Sequence, residues 1–248
     1  MTEFYDRIGV GYADRRRADP RLAAAITRAL NRTETVVNVG AGAGSYEPSD
    51  RSVVAVEPAM TMIRQRRAGS APVVQASATA LPFRDDGFAA ALAVLTVHHW
   101  PDRARGLAEL GRVARRRVVV VTWDPSSQGF WLLDDYFPQI GDVDRPNFPS
   151  LEDFRRALGR VEVHPLPIPH DCVDGFLGAY WRRPHAYLDA GVRSAISTFA
   201  KLQTRDVESG VERLRRDLAD GTWARRHGDL LNRSEIDLGY RIVIAGKL

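Results

Sequence analysis

The stretch Val36-Val37-Asn38-Val39-Gly40-Ala41-Gly42-Ala43-Gly44 constrains this chain more than any other. An apolar run of strand length stops at three glycines spaced two apart. Glycine reaches backbone conformations closed to other residues and lets a ligand lie directly on the main chain. A strand ending in such a loop, with a turn leading on toward a helix, reads as the start of an open α/β sheet that binds its ligand at the strand's carboxyl end. Other apolar runs fit that sheet: Val53 to Val56, Val73–Val74, Ala89 to Leu95 and Val118 to Trp123. Several are apolar throughout, as strands buried on both faces tend to be. Helical spacing separates them in Ala59 to Arg67 and Pro101 to Val113. Asp19-Pro20 starts an earlier helix, with Leu22, Ile26 and Leu30 on one stripe. Alternating strands and helices predict an α/β fold with right-handed crossovers.

After Asp124-Pro125 the rhythm changes. Ser150, with Asp153 three residues on, starts a short helix ending near Gly159. Val161 to Ile168 alternates and is broken by prolines, which suits an edge strand. Val173 to Asp220 reads as helical, with Val207, Val211, Leu214 and Leu218 on one face, and Leu238 to Ile244 returns to strand. The expected organisation is one domain over residues 1–248, with a ligand-binding core at 1–124, a helical cap and substrate region at 125–237, and a final strand at 238–248.

Composition narrows the partners. The 248 residues carry 35 basic against 31 acidic side chains, a net charge of +4, and only Lys201 and Lys247 are lysines. The arginines are scattered in twos and threes, as at Arg15 to Arg17 and Arg115 to Arg117. That pattern fits a general arginine bias better than a nucleic-acid face. The single cysteine, Cys172, allows no intramolecular disulfide and no cysteine-clustered zinc site. No apolar run approaches the ~18 residues of a membrane span. The first residues lack the basic and apolar regions of a signal peptide. These features lead us to expect a cytoplasmic monomer or homodimer without metal, nucleic acid or membrane span.

Glu57 ends the strand after the glycine loop, where a carboxylate can accept from both hydroxyls of a bound ribose; an acid there can also simply cap the next helix. Loop and acid together place a nucleoside at the carboxyl ends of adjacent strands. An NAD(P)-dependent oxidoreductase would use the same place with the spacing G-x-G-x-x-G. Here the spacing is G-x-G-x-G, and Ser45 stands where the third glycine belongs.

Three further segments complete the pattern: Ala76-Ser77-Ala78-Thr79-Ala80-Leu81-Pro82-Phe83, Asp85-Asp86-Gly87-Phe88 and Leu95-Thr96-Val97-His98-His99-Trp100. In this order and spacing, residues 5 to 124 resemble the class I S-adenosylmethionine-dependent methyltransferases. They look most like the small-molecule branch that holds the ubiquinone and menaquinone C-methyltransferases. The resemblance implies a Rossmann-like, mostly parallel sheet with an antiparallel last strand. It implies S-adenosyl-L-methionine as cofactor, S-adenosyl-L-homocysteine as product, and a small-molecule acceptor methylated at oxygen or carbon. On that resemblance Gly40 and Gly42 line the methionine part, Glu57 holds the ribose, Met62 packs on the adenine, and Ser77 and Ala78 meet its edge. Ala41, Pro58 and Val94 complete the expected lining. Tyr12 and Arg16 resemble a lid that covers the cofactor and meets its carboxylate.

Two positions depart from the family. Asn38 stands where an acid usually balances the cofactor's ammonium, and Ser77 where an Asp often contacts the adenine amino group. Both lean toward weaker cofactor binding and keep open a catalytically silent S-adenosylmethionine-binding protein or partner subunit. No Asn-Pro-Pro-Tyr-type motif follows the fourth strand, which counts against methylation of nucleic-acid bases.

Methyl transfer from a sulfonium needs alignment and exclusion of water before acid–base help. A base is needed when the acceptor must lose a proton. His99 and His98, just after the fourth strand, are the candidate bases, with an ordinary imidazole pKa of ~6.5 suited to neutral pH. Capping and packing are the alternative reading of both. His170 and Asp171 rank behind them. The aromatics Phe176, Tyr180, Trp181, Tyr187 and Phe199 of the cap, and Phe130-Trp131 before them, read first as core and second as pocket wall.

Overall fold

A computed structural model describes residues 16–246, so the expected lid residue Tyr12 lies outside the described residues. The strands in chain order are β1 (Thr35–Val39), β2 (Ser52–Val56), β3 (Val73–Val74), β4 (Phe88–Val94), β5 (Ala114–Trp123), β6 (Val161–Pro165), β7 (Ile168–Pro169), β8 (Glu235–Ile236) and β9 (Tyr240–Gly246). Seven of them form one sheet in the order β3-β2-β1-β4-β5-β9-β6, while β7 and β8 pair separately. Neighbours from β3 to β5 are parallel, and β9 runs antiparallel to both β5 and β6. This is the Rossmann-like α/β sheet with a reversed last strand that the sequence led us to expect.

Period-two alternation sends each strand's side chains into two separate cores. Val36, Ala90, Leu92, Val119, Val121, Ile242 and Ile244 meet Leu22, Ile26 and Leu30 of α1 (Pro20–Leu30) on one face. Val37, Ala91, Ala93, Val118, Val120 and Val243 meet Leu107 and Leu110 of α3 (Arg103–Val113) and Phe154 of α5 (Leu151–Leu158) on the other. Both faces are covered, which is why the strands are apolar throughout. Helix starts follow local chemistry: Asp19, Asp102 and Ser150 each accept from a first-turn amide, and Ser150 and Asp153 form a reciprocal capping box.

The remaining helices are α2 (Met60–Ile63), α4 (Gln139–Asp144), α6 (Ala190–Ser194), α7 (Thr204–Ala219) and α8 (Thr222–His227). Three sequence expectations shift. No helix follows the glycine loop: residues 40–51 are turns, where Pro48 and the left-handed Tyr46 (φ 61) stop a helix from starting. The helix expected over Ala59 to Arg67 shrinks to the four residues of α2. The helical reading from Val173 holds only from Thr204 onward; before that lie 3₁₀ turns and the short α6. Those turns are packed from outside, around a cluster in which Trp131 meets Tyr136, Tyr187 and Trp223 edge-on and donates to Trp181 O at 2.9 Å. Among the described residues no helix is long and apolar enough to cross a membrane.

Asp19 ties α1 to the later chain. Fully buried, it accepts from Arg21 through backbone and guanidinium and from Val173 N at 3.2 Å. The hydrogen-bonded Arg21 pulls its carboxyl down to about 2. A depressed carboxyl stabilises the fold above its ordinary 3.8 and loses that contribution as pH falls through about 2. Asp19→Ala should cost about 2 kcal/mol at neutral pH, from a lost cap and a lost tie to Val173. In chemical denaturation the gap to wild type should close toward pH 2; a gap of constant size would assign the loss to packing.

Candidate active site

The cleft forms at the carboxyl ends of β1, β2 and β4. Gly40 N and Ala41 N both donate to Val56 O, at 2.8 and 3.0 Å, so the loop leaves β1 pinned against β2. Gly40 has φ +71, and a Cβ there would run into the Thr96 side chain. Gly42 has φ +53, with the Met62 methyl 3.4 Å from where a Cβ would stand. Only glycine fits the first position, and at the second it leaves the main chain open to a ligand. Behind the loop the buried pair Arg66–Glu47 (2.6 Å) holds it in place, with Arg66 also donating to Gly42 O and Ala71 O.

Glu57 does two jobs at once. It is 6% exposed and accepts from Gly42 N through Oε2 and from Ala59 N through Oε1, each at 2.9 Å. So it caps the turn into α2 and also faces the cleft beside the glycines. Burial pushes its carboxyl above the usual 4.5, against the pull of those amides.

The cleft encloses about 290 Å³. The structure brings together around it every expected cofactor residue it describes. Arg16, Asn38, Gly40, Ala41 and Gly42 line one part, and Glu57, Pro58, Met62, Ser77, Ala78 and Val94 the rest. Asn38 is buried at 2% exposure and carries no charge to this wall. The Ser77 hydroxyl is engaged locally with Thr79 at 2.9 Å. A carboxylate that can take ribose hydroxyls, an open glycine main chain and the apolar Met62 and Ala78 suit the nucleoside and methionine parts of S-adenosylmethionine. Thr96 and Trp100, from the motif after β4, line the same cleft, as do Tyr46 and Pro101, which nothing in their sequence context marked.

A second cavity of about 70 Å³ adjoins the first. Three residues line both: Arg16, Leu95 and His99. Leu95 holds a left-handed conformation (φ 49), a costly state for a branched side chain that tends to persist at functional positions. His98 lines the second cavity alone, stacked on Phe148 with ring centroids 4.0 Å apart. Apolar surroundings push His99 down to about 3 and His98 well below its ordinary value, helped by the charges of Lys201 and Arg16 and, for His98, by His99. The expected titration near 6.5 is therefore corrected: both imidazoles stay neutral through the physiological range.

Of the aromatics, Phe130 and Phe176 line this cavity, while Trp181 and Tyr187 are wholly core. His170 and Asp171 line neither cavity. His170 Nδ1 meets Ser234 O at 3.1 Å and the exposed Asp171 pairs with Arg21. Their neighbour Asp174 matters more. Fully buried, it pairs with Arg16 Nε at 2.6 Å and accepts from the Tyr46 hydroxyl at 2.9 Å. Arg16 is thus held at the junction of the two cavities by a residue 158 positions away. Among the described residues no cluster of three or more His, Cys, Asp or Glu could hold a metal ion.

Residues 37–122 match the profile of a family described as a methyltransferase domain. A candidate methyltransferase from an antibiotic biosynthesis pathway of Anabaena variabilis has a similar structure, with a TM-score of 0.86 at 33% identity over 94% of this chain and 99% of that one. A candidate histamine N-methyltransferase of Thermotoga maritima matches over 100% of both chains, with a TM-score of 0.62 at 17% identity. The YcgJ protein of Bacillus subtilis reaches 0.54 at 19% identity over 91% of this chain and 97% of that one. The last two are similar in fold alone. A comparison with curated protein sequences gives no match.

Glu57→Ala should raise the Kd for S-adenosylhomocysteine about 10- to 100-fold, the effect of one or two lost charged hydrogen bonds after solvent compensation. It should also lower the melting temperature, because Gly42 N and Ala59 N lose their acceptor. Since the carboxyl protonates above the usual 4.5, wild-type affinity should begin to weaken before that pH is reached on acidification. Calorimetry across pH with wild type and Glu57→Gln checks both; an Ala variant with unchanged affinity and melting would leave Glu57 no role.

Proposed function

Because the chain belongs to the class I S-adenosylmethionine-dependent methyltransferases, we propose that it methylates a small, mainly apolar or aromatic acceptor held in the cavity beside His99. The junction carries this reading: the cleft and the cavity meet at Arg16, Leu95 and His99, so a donor in one lies next to an acceptor in the other. The antibiotic biosynthesis pathway of the Anabaena relative supports a natural-product acceptor. The cofactor, when bound, supplies an electrophilic methyl on a sulfonium sulfur for in-line displacement.

The chain's own residues do the rest. The Glu57 carboxylate holds the ribose end, and the open Gly40–Gly42 main chain receives the methionine end. Met62 and Ala78 give the base an apolar seat. Asn38 offers its neutral amide where a charge would bind an ammonium more tightly, which favours moderate affinity. His99 accepts a hydrogen bond from the attacking hydroxyl or amine and orients it. A neutral imidazole of such low basicity is a positioning group and a poor proton sink at neutral pH, so the proton that the acceptor gives up on methylation passes to solvent water and not to His99.

The NAD(P) alternative loses its anchor between β1 and β2. A dinucleotide's pyrophosphate rests on the N-terminus of the helix that follows the glycine loop. Residues 40–51 form no such helix.

Calorimetry should show saturable binding of S-adenosylmethionine and S-adenosylhomocysteine and none of NAD; the reverse would remove the methyltransferase reading. His99→Gln should lower turnover about 10- to 100-fold by disorienting the acceptor, with a smaller change in cofactor affinity. Because His99 stays neutral down to about 3, the wild-type rate should show no histidine limb near neutrality. A limb near pH 6.5 that disappears in His99→Gln would restore general-base catalysis.

A further inference from the structure

Asp144, the last residue of α4, stands in the wall of the second cavity at 5% exposure. Its Oδ2 accepts from the Thr198 hydroxyl at 2.6 Å, and Thr198 lines the same cavity. Its Oδ1 is buried and has no hydrogen-bond partner. Lys201 Nζ stands 3.9 Å from that oxygen, close enough to balance charge and too far to donate. Buried acceptors left without a donor are rare, and each costs folding free energy that a ligand can recover. Burial also pushes this carboxyl above its usual value, against Thr198 and Lys201.

The surroundings say what kind of ligand would do so. Phe130, Phe148 and Phe176 give the cavity aromatic walls, and His98 stacks on one of them. Lys201 already offsets the charge of Asp144, so the missing element is a proton donor more than a cation. The terminal torsion of an aspartate is soft, so the carboxylate can turn toward a ligand while Thr198 follows.

Building on the methyltransferase reading, we infer that Asp144 selects the acceptor. The cavity takes an aromatic molecule through a hydrogen-bond-donating substituent, a hydroxyl or amine, docked on the Asp144 carboxylate, and it rejects carboxylates. The Thr198 hydroxyl keeps the other carboxylate oxygen hydrogen-bonded while Oδ1 takes the ligand. Asp144 lines the second cavity and not the cofactor cleft, so it acts on the choice of acceptor and leaves the cofactor's affinity alone.

The test uses the full chain saturated with S-adenosylhomocysteine and three probes of like size: 4-ethylphenol, 4-ethylanisole and 4-ethylbenzoate. NMR titration should show the phenol binding about tenfold tighter than the anisole, with the benzoate weakest, the scale of one hydrogen bond to a charged acceptor. Asp144→Asn should reduce the phenol preference to about twofold and improve the benzoate relative to the phenol, while S-adenosylhomocysteine affinity stays unchanged. Equal binding of phenol and anisole by wild type, a preference for benzoate, or no binding of any probe overturns the assignment without reference to the variant. So does a phenol preference that survives in Asp144→Asn. Failure to bind S-adenosylhomocysteine would instead overturn the methyltransferase reading, so the two failures are distinct.

Discussion

Two adjacent parallel strands that send the chain to opposite sides leave a crevice at their carboxyl ends. In this sheet β1 leads to β2 on one side, and β4 leads to β5 on the other. The glycines after β1 and Leu95 and His99 after β4 lie just past the two strands that border this crevice, and Glu57 follows the neighbouring β2. The sheet also fixes where those loops begin. Gly40 N and Ala41 N still bond to Val56 O, and Leu95 N still bonds to Val121 O. The first residues with a free conformation are therefore the ones that line the cleft.

The buried acids divide by what faces them. Asp19 has a guanidinium partner, and its carboxyl is pulled down to about 2. Asp174 pairs with Arg16 and accepts from the Tyr46 hydroxyl. These acids hold the chain near residues 16–21 against the later loop. Glu57 and Asp144 have only amide or hydroxyl hydrogen bonds and more distant cations, and burial pushes both upward. Both line cavities. Asp19 and Asp174 thus have a counter-charge at contact, whereas Glu57 and Asp144 stand at cavity walls without one, and Asp144 alone of the four keeps an oxygen with no donor.

The sheet and the cofactor cleft were legible because their signals are local. Apolar runs mark strands buried on both faces, and a glycine at positive φ marks a loop wherever it occurs. Helix caps at Asp19 and Ser150 are local too. The absence of a helix after the glycines was not legible, because the spacing there tolerates either outcome until Pro48 and Tyr46 are placed. The stretch before Thr204 carried helical spacing yet folded into turns, since packing around Trp131 and Trp181 overrides propensity. Asp174 and Asp144 were missed for a different reason. Their meaning lies in partners 158 and 54 residues away, and no spacing rule reaches that far.

The histidines show why a residue type in the expected place does not fix its chemistry. A sulfonium at the junction carries a positive charge, and His99 lines both cavities that meet there. A protonated imidazole about 4 Å from that charge would oppose it by about 4 kcal/mol at an effective dielectric near 20. Arg16 avoids the same conflict because Asp174 pairs with it at 2.6 Å. Burial among apolar groups keeps both imidazoles neutral before any cofactor arrives, so binding a cation need not first expel their protons. The low basicity that weakens His99 as a general base is thus the property that would let an imidazole stand beside a sulfonium in the proposed reaction.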